Sequence, residues 1–115
     1  MLKVYLSGKI SGEDFKLVKK LFKNKEDLIK RHAKKSGIEA EVFNPSTQGH
    51  GKEWHYYMKR DIKELVDADL VLDIGNNDGT SKGVKLEKRI ARDLGIKWLS
   101  CDKAILYLHE LGGKK

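Results

Sequence analysis

Cysteine occurs once in these 115 residues, as Cys101, and proline once, as Pro45. A lone cysteine excludes an internal disulfide and any cysteine-based metal site, and makes a reducing cytoplasm the default setting. Long apolar runs are missing too, since no stretch approaches the roughly 18 residues that span a bilayer. The apolar part of the opening M-L-K-V-Y-L-S-G is too short for a signal peptide and reads directly as a strand. No internal repeat and no low-complexity linker interrupts the chain. What remains is 39% hydrophobic and 36% charged, the balance of a soluble globular protein. The length suffices for one domain over 1–115 and is too short for two.

A formal net charge of +7 invites a nucleic-acid reading. The lysines are scattered or lie on helix faces (Lys16, Lys19, Lys20, Lys23, Lys25), acids are interleaved with them, and no recognised nucleic-acid motif is present. A solvated face with modest steering of anions is the blander account and the preferred one. The excess also suits a nucleotide-sized anion as partner.

Leu2 to Ser7 is nearly continuous in apolar residues, as in a strand buried on both faces. A loop, Gly8 to Gly12, leads to a helix starting near Asp14, with Phe15, Val18, Leu21, Phe22, Leu28, Ile29 and Ala33 at helical spacing. Its middle, Lys23 to Asp27, is slack enough for a kink, and Ser36-Gly37 ends it. Glu39 to Phe43 is a second strand, stopped by Asn44-Pro45. A glycine-containing loop, Ser46 to Gly51, precedes a helix from Lys52 that carries Trp54, Tyr57, Met58, Ile62, Leu65 and Val66. A third strand ends on Asp73 and Ile74, a third helix takes up Val84, Leu86, Ile90, Ala91 and Leu94, and Ile96 to Leu99 forms a fourth strand. Asp102 caps a last short helix, and the final Gly112-Gly113-Lys114-Lys115 is expected to fray. Strands alternating with helices through short links predict an α/β flavodoxin-like three-layer sandwich with a four- to five-stranded parallel sheet. Ligands then bind beyond the carboxyl ends of the strands, which gathers the Ser7–Gly12 loop, Asn44-Pro45 and the Gly75–Glu87 segment on one rim.

The densest chemistry lies between Asp69 and Leu94. A strand, a glycine-rich loop and a helix present backbone N–H groups and a helix N-terminus to an anion. Ser81 supplies a hydroxyl, Lys82 a charge, and Gly83 lets a backbone approach closely; the bland alternative is a serine N-cap with ordinary loop glycines. Glu87, one turn into the helix, is expected to stay ionised near the helix start and to face the same pocket. The first loop, S-G-K-I-S-G, with Gly8, Lys9 and Ile10, is neither a Walker A motif nor G-x-G-x-x-G. Asp61 falls on the apolar stripe of Trp54, Tyr57 and Leu65, where an acid needs a partner or a role. Trp54 and Tyr57 read as core or as a ligand platform. Asp73 reads as a loop-structuring carboxylate or a site residue. His50 and His55 lack a further ligand cluster, so neither a metal nor any other cofactor is expected.

K-V-Y-L-S-G, F-N-P, W-x-x-Y-M-x-x-D-I-x-x-L, A-D-L-V-L-D and S-K-G-V-K-L-E-x-x-x-A-x-x-L-G-I together resemble the nucleoside 2-deoxyribosyltransferase-like superfamily, over roughly residues 3–99. The resemblance extends to a small phage- and prophage-associated branch and to the 2′-deoxynucleoside 5′-phosphate N-hydrolases. It implies that Glu87 is the nucleophile at the sugar's anomeric carbon, that Asp61 orients or protonates the departing base, and that Tyr5 stands close to the catalytic carboxylate. Gly8 falls in the family's first ligand loop. Ser81 matches the serine with which the hydrolases contact a 5′-phosphate, where the transferases carry an aspartate. A carboxylate would repel a phosphate and a hydroxyl would not, so with Lys82 adjacent a nucleotide is favoured over an uncharged nucleoside. The first loop is shorter than in the hydrolases and lacks their arginine, leaving Lys9 as its cation. Lys85 stands where many relatives carry a small residue. The resemblance also implies a homodimer or higher homo-oligomer, since a neighbouring subunit completes the pocket in related enzymes. The expected substrate-binding set is therefore Gly8, Lys9, Ile10, Asn44, Trp54, Asp73, Ser81, Lys82 and Gly83. The expected activity is cleavage or transfer at an N-glycosidic bond of (deoxy)nucleoside 5′-monophosphates; a non-catalytic nucleotide-binding or sequestering protein on the same fold is the alternative.

Overall fold

The structure, a computed structural model, describes residues 1–10, 13–47 and 53–113. The end of the first loop (Ser11-Gly12), the loop glycines Gly49 and Gly51, His50, the anticipated helix start at Lys52, and Lys114-Lys115 lie outside the described residues. Four parallel strands, β1 (Leu2–Ser7), β2 (Ala40–Phe43), β3 (Leu70–Asp73) and β4 (Lys97–Ser100), pair in the order β2-β1-β3-β4. The helices are α1 (Phe15–Lys35), α2 (Trp54–Val66), α3 (Lys82–Asp93) and α4 (Cys101–Gly113), with one 3-10 turn at Pro45–Thr47. This is the flavodoxin-like three-layer α/β arrangement, with four strands among the described residues. No helix among those residues is long and apolar enough to cross a membrane.

Alternation along the two central strands divides the core. Val4, Leu6, Leu70 and Leu72 face α1 and α4, where Val18, Phe22, Ile29, Ala33, Ala104 and Leu108 close one half of the core. Tyr5 and Val71 face the other way, against Leu65 of α2 and Ala91 of α3. Successive side chains on a strand point to opposite faces, so Ser7 shares the face of Tyr5. That placement matters for the site.

Several element ends differ from expectation for local reasons. Asp14 caps α1 by accepting from the N–H groups of Lys16 and Leu17. The helix then runs unbroken through Lys23–Asp27, because ion pairs at i,i+4 span the slack turn: Lys23 to Asp27 at 3.0 Å and Lys30 to Glu26 at 2.6 Å. The helix α3 begins at Lys82, before Val84, because the Ser81 hydroxyl accepts from the Val84 N–H at 3.2 Å and caps it. The helix α4 follows β4 directly. Its first turn is closed by Ser100, whose hydroxyl accepts from the Lys103 N–H, while Asp102 lies inside that turn; Gly112 and Gly113 remain helical.

The chain leaves β1 toward β2 on one side and returns to β3 on the other, so a crevice opens at the carboxyl ends of β1 and β3. The loops after these strands are clasped together. The Asn76 side chain accepts from the Lys9 N–H at 2.9 Å and donates to the Lys9 carbonyl at 2.8 Å. Gly8 permits that approach, since a Cβ there would lie 2.4 Å from Ile74 Cγ1 and 2.7 Å from Asn76 Oδ1. Ile74 is itself buried and has little room to withdraw. Gly8→Ala is expected to lower stability by about 1–3 kcal/mol, read as a lower urea midpoint with an unchanged m-value.

Candidate active site

A cavity of about 620 Å³ occupies that crevice, walled by Gly8, Lys9, Ile10 and Phe15, by Pro45, by one side of α2 between Trp54 and Asp61, and by Thr80 to Val84 and Glu87 at the start of α3. Its floor is Glu87, whose residue is 5% exposed. Six positions into α3 the carboxylate points at the sheet. Tyr5, fully buried on β1, donates its hydroxyl to Oε2, and the Ser7 hydroxyl donates to Oε1 at 2.9 Å. One strand face thus supplies a donor to each oxygen of one carboxylate.

Glu87 was expected to stay ionised by virtue of the helix start, and here the structure differs. Burial pushes its carboxyl up to about 7, against the lowering effect of the Tyr5 and Ser7 hydrogen bonds, and the charge of Asp61 raises it further. The field of a helix terminus fades within about one turn, and Glu87 lies beyond it. Tyr5 is pushed well above the ordinary phenol range by burial and by the neighbouring carboxylates, so it remains a neutral donor.

Asp61, 6% exposed, is carried into the cavity by the apolar stripe of α2 between Met58 and Leu65. Arg60 grips it, with Nε 2.9 Å and Nη2 2.7 Å from Oδ1, and lies 5.0 Å from the centre of the Tyr57 ring. Burial raises the Asp61 carboxyl above its ordinary value, opposed by the Arg60 guanidinium. Lys9 Nζ is 3.1 Å from Asp78 Oδ2 and 3.3 Å from Glu13 Oε1. Asp78 is correspondingly lowered to about 2, first by its hydrogen bonds from Thr80 and then by Lys9. Lys82 lies over the Trp54 ring, 4.3 Å from its centre.

The cavity brings together Glu87, Asp61, Gly8, Lys9, Ile10, Trp54, Ser81, Lys82 and Gly83 from the sequence-derived set, with Tyr5 directly behind Glu87. It leaves out two. Asn44 is buried and serves its own turn: Oδ1 accepts from the Ser46 N–H and hydroxyl, and Nδ2 donates to Glu26 Oε1 at 3.0 Å. Asp73 accepts from the Gly75 N–H at 2.8 Å and from Trp98 Nε1 at 3.1 Å, so it structures the loop and pins β4. Gly83 has its close neighbour in Met58 of α2, whose Sδ would stand 3.3 Å from a Cβ there. Lys85 is exposed and does not line the cavity. Ser7 and Arg60 escaped the sequence reading; the signal for Ser7 was its place two residues after Tyr5 on one strand face. His55 lines the cavity, and no cluster of three or more potential metal ligands occurs among the described residues.

Because the folded Glu87 titrates near 7, above its ordinary value of 4.5, its contribution to stability is complete below about pH 4.5 and lost as pH rises through 7. The loss is on the order of 3 kcal/mol. Glu87→Gln removes the titration and keeps an acceptor for Tyr5, so its melting temperature relative to wild type is expected to be clearly higher at pH 8 than at pH 5. An equal difference at both pH values would show that Glu87 does not titrate in this window.

No curated protein matches the chain. Among solved structures it is similar to a conserved protein from Enterococcus faecalis V583, at a TM-score of 0.58 and 18% sequence identity. The match covers 87% of this chain and 62% of that one, so this chain spans under two thirds of that protein's length. Identity at that level speaks to fold alone. Residues 2–100, from the first strand through the fourth, match a domain of unknown function (DUF4406). Since that match takes in the whole sheet and every residue of the cavity, the chain belongs to the DUF4406 family.

Proposed function

We propose that the protein cleaves or transfers the N-glycosidic bond of deoxynucleoside 5′-monophosphates, with Glu87 as nucleophile. The observation that carries this reading is the Glu87 carboxylate, buried at the floor of a nucleotide-sized cavity with a separate donor on each oxygen and a second acid, Asp61, in the same cavity. Small-molecule sites commonly enclose about 300–1,000 Å³. The resemblance of the S-K-G-V-K-L-E segment and of Tyr5 and Asp61 to the nucleoside 2-deoxyribosyltransferase-like superfamily supports the same assignment.

The chemistry runs in two steps. The bond from C1′ to the base nitrogen breaks through an oxocarbenium-like transition state, and a Glu87 oxygen bonds to C1′. The electron pair of the broken bond leaves with the base, which takes a proton from Asp61; desolvation, which holds the Asp61 carboxyl up, suits it to donate. Water, or a second base, then attacks C1′ and gives up its proton to Asp61 as the Glu87 ester bond breaks. Tyr5 and Ser7 fix the carboxylate and, by donating to it, balance its charge against burial. Ser81 and Lys82 meet the 5′-phosphate at the start of α3, where backbone N–H groups add to their effect. Trp54, Tyr57 and Phe15 offer apolar walls for the sugar and base.

Incubation with mixed deoxynucleoside 5′-monophosphates, followed by chromatography for free bases, is expected to release at least one base. Glu87→Ala is expected to reduce release by at least 10³-fold, in line with loss of a nucleophile, while the melting transition persists. Nucleotide binding without release, unaffected by Glu87→Gln, would instead identify a sequestering protein. For the free enzyme, kcat/KM is expected to rise with pH through about 7 as Glu87 ionises; a flat profile between pH 5.5 and 8 would remove Glu87 from the nucleophile role.

A further inference from the structure

The net positive charge of this protein is concentrated on one helix. Helix α1 carries nine of the 24 lysines and arginines and two of the 17 acids, an excess that equals the chain's entire net charge of +7. In the sequence these cations look interleaved with acids. On the helix they separate: Lys16, Lys19, Lys20, Lys23, Lys30, Arg31, Lys34 and Lys35 are all exposed and fall within about 160° of the helix circumference. Both acids, Glu26 and Asp27, are taken up by Lys30 and Lys23. Six exposed cations therefore have no carboxylate partner among the described residues: Lys16, Lys19 and Lys20 at one end and Arg31, Lys34 and Lys35 at the other, of a ridge about 28 Å long.

From this ridge we infer a second binding surface, opposite in character to the cavity: the outer face of α1 binds the phosphate backbone of a nucleic-acid duplex without reading its sequence. Three features select that partner. The apolar side of α1 (Val18, Phe22, Ile29, Ala33) is consumed by the core, which leaves no apolar face to enter a lipid surface as interfacial helices require. The ridge holds no aromatic residue; Phe15 lies at its end, at the cavity, and Leu17 is its one large exposed apolar neighbour. Protein interfaces are anchored by aromatic and apolar side chains and are poor in lysine, and single strands are held by stacking on aromatic rings. A duplex asks only for a line of cations, since it presents one charge per about 1.7 Å of its axis. The inference stands apart from the proposed glycosidic activity and fails or survives independently of it.

Fluorescence anisotropy with a labelled 16-base-pair DNA duplex tests it between 50 and 200 mM salt. With about five phosphates neutralised at roughly 0.9 per contact, affinity is expected to fall about 500-fold across that range. The variant K20Q/R31Q/K34Q keeps good helix formers at exposed positions, and it is expected to lower the salt slope by about 3. The charge-matched K59Q/K63Q/K103Q, exposed on other helices, is expected to leave the slope within one unit of wild type. No binding at 50 mM salt, or an equal loss in both variants, would overturn the inference. So would tighter binding to a single-stranded 16-mer or to phosphatidylserine vesicles than to the duplex.

Discussion

A carboxylate held away from water between a sheet and a helix is the constraint around which this molecule is arranged. Glu87 on α3 reaches back to Tyr5 and Ser7 on β1, residues about 80 positions earlier in the chain. An isolated buried charge is costly, and its cost is contained when each oxygen accepts a hydrogen bond. Those two donors are available because β1 is central and its odd-numbered side chains face α3, while Val4 and Leu6 fill the opposite core. Moving the register of β1 by one residue would put Val4 and Leu6, or Leu6 and Gly8, in place of both donors. Packing of the sheet and positioning of the carboxylate are therefore one problem with one solution.

The cavity around Glu87 is pre-set rather than loose. Lys9 is committed to Asp78 and Glu13, Arg60 to Asp61, and Lys82 to the face of Trp54. The loops after β1 and β3 are clasped by Asn76 across the narrow gap that Gly8 leaves. Catalytic groups gain from being ordered before the substrate arrives, since no reorganisation is then required during the reaction. An anion entering here meets cations already oriented, at the cost of competing with their carboxylate partners. In the cavity Lys9 and Arg60 are thus paired with carboxylates, whereas at the two ends of α1 six exposed cations are not. The two proposed ligands differ accordingly: a small molecule fixed in orientation would suit the cavity, and an extended polyanion that needs only proximity would suit the ridge.

Much of this was legible from the residues in order. Apolar runs at Leu2–Ser7 and Leu70–Asp73 marked the central strands because both faces of such strands are buried. Helical spacing located the helices, and strand direction placed Gly8, Ser81 and Glu87 at one rim before any contact was known. Asp61 stood out because a carboxylate on an apolar stripe calls for a partner, which proved to be the adjacent Arg60. Local patterns of period two and 3.6 carry this kind of information, since they depend on the chain's own geometry and on burial.

Tertiary structure alone decided the rest, because each remaining outcome depends on residues distant in sequence. Asn44 and Asp73 looked like rim residues, and only their bonds to Glu26, Ser46 and Trp98 commit them to turns and to β4. Ser7 became a partner of Glu87 through the alignment of β1 against α3. The raised pKa of Glu87 followed from desolvation, which has no signature in a run of letters. Net charge was countable from composition, but the alignment of eight exposed cations along one side of α1 required the helix to be continuous. Local patterning therefore sets the elements and the edge at which a site forms; which side chains meet there, and in what protonation state, is decided by packing, because burial and through-space contact are properties of the assembled fold.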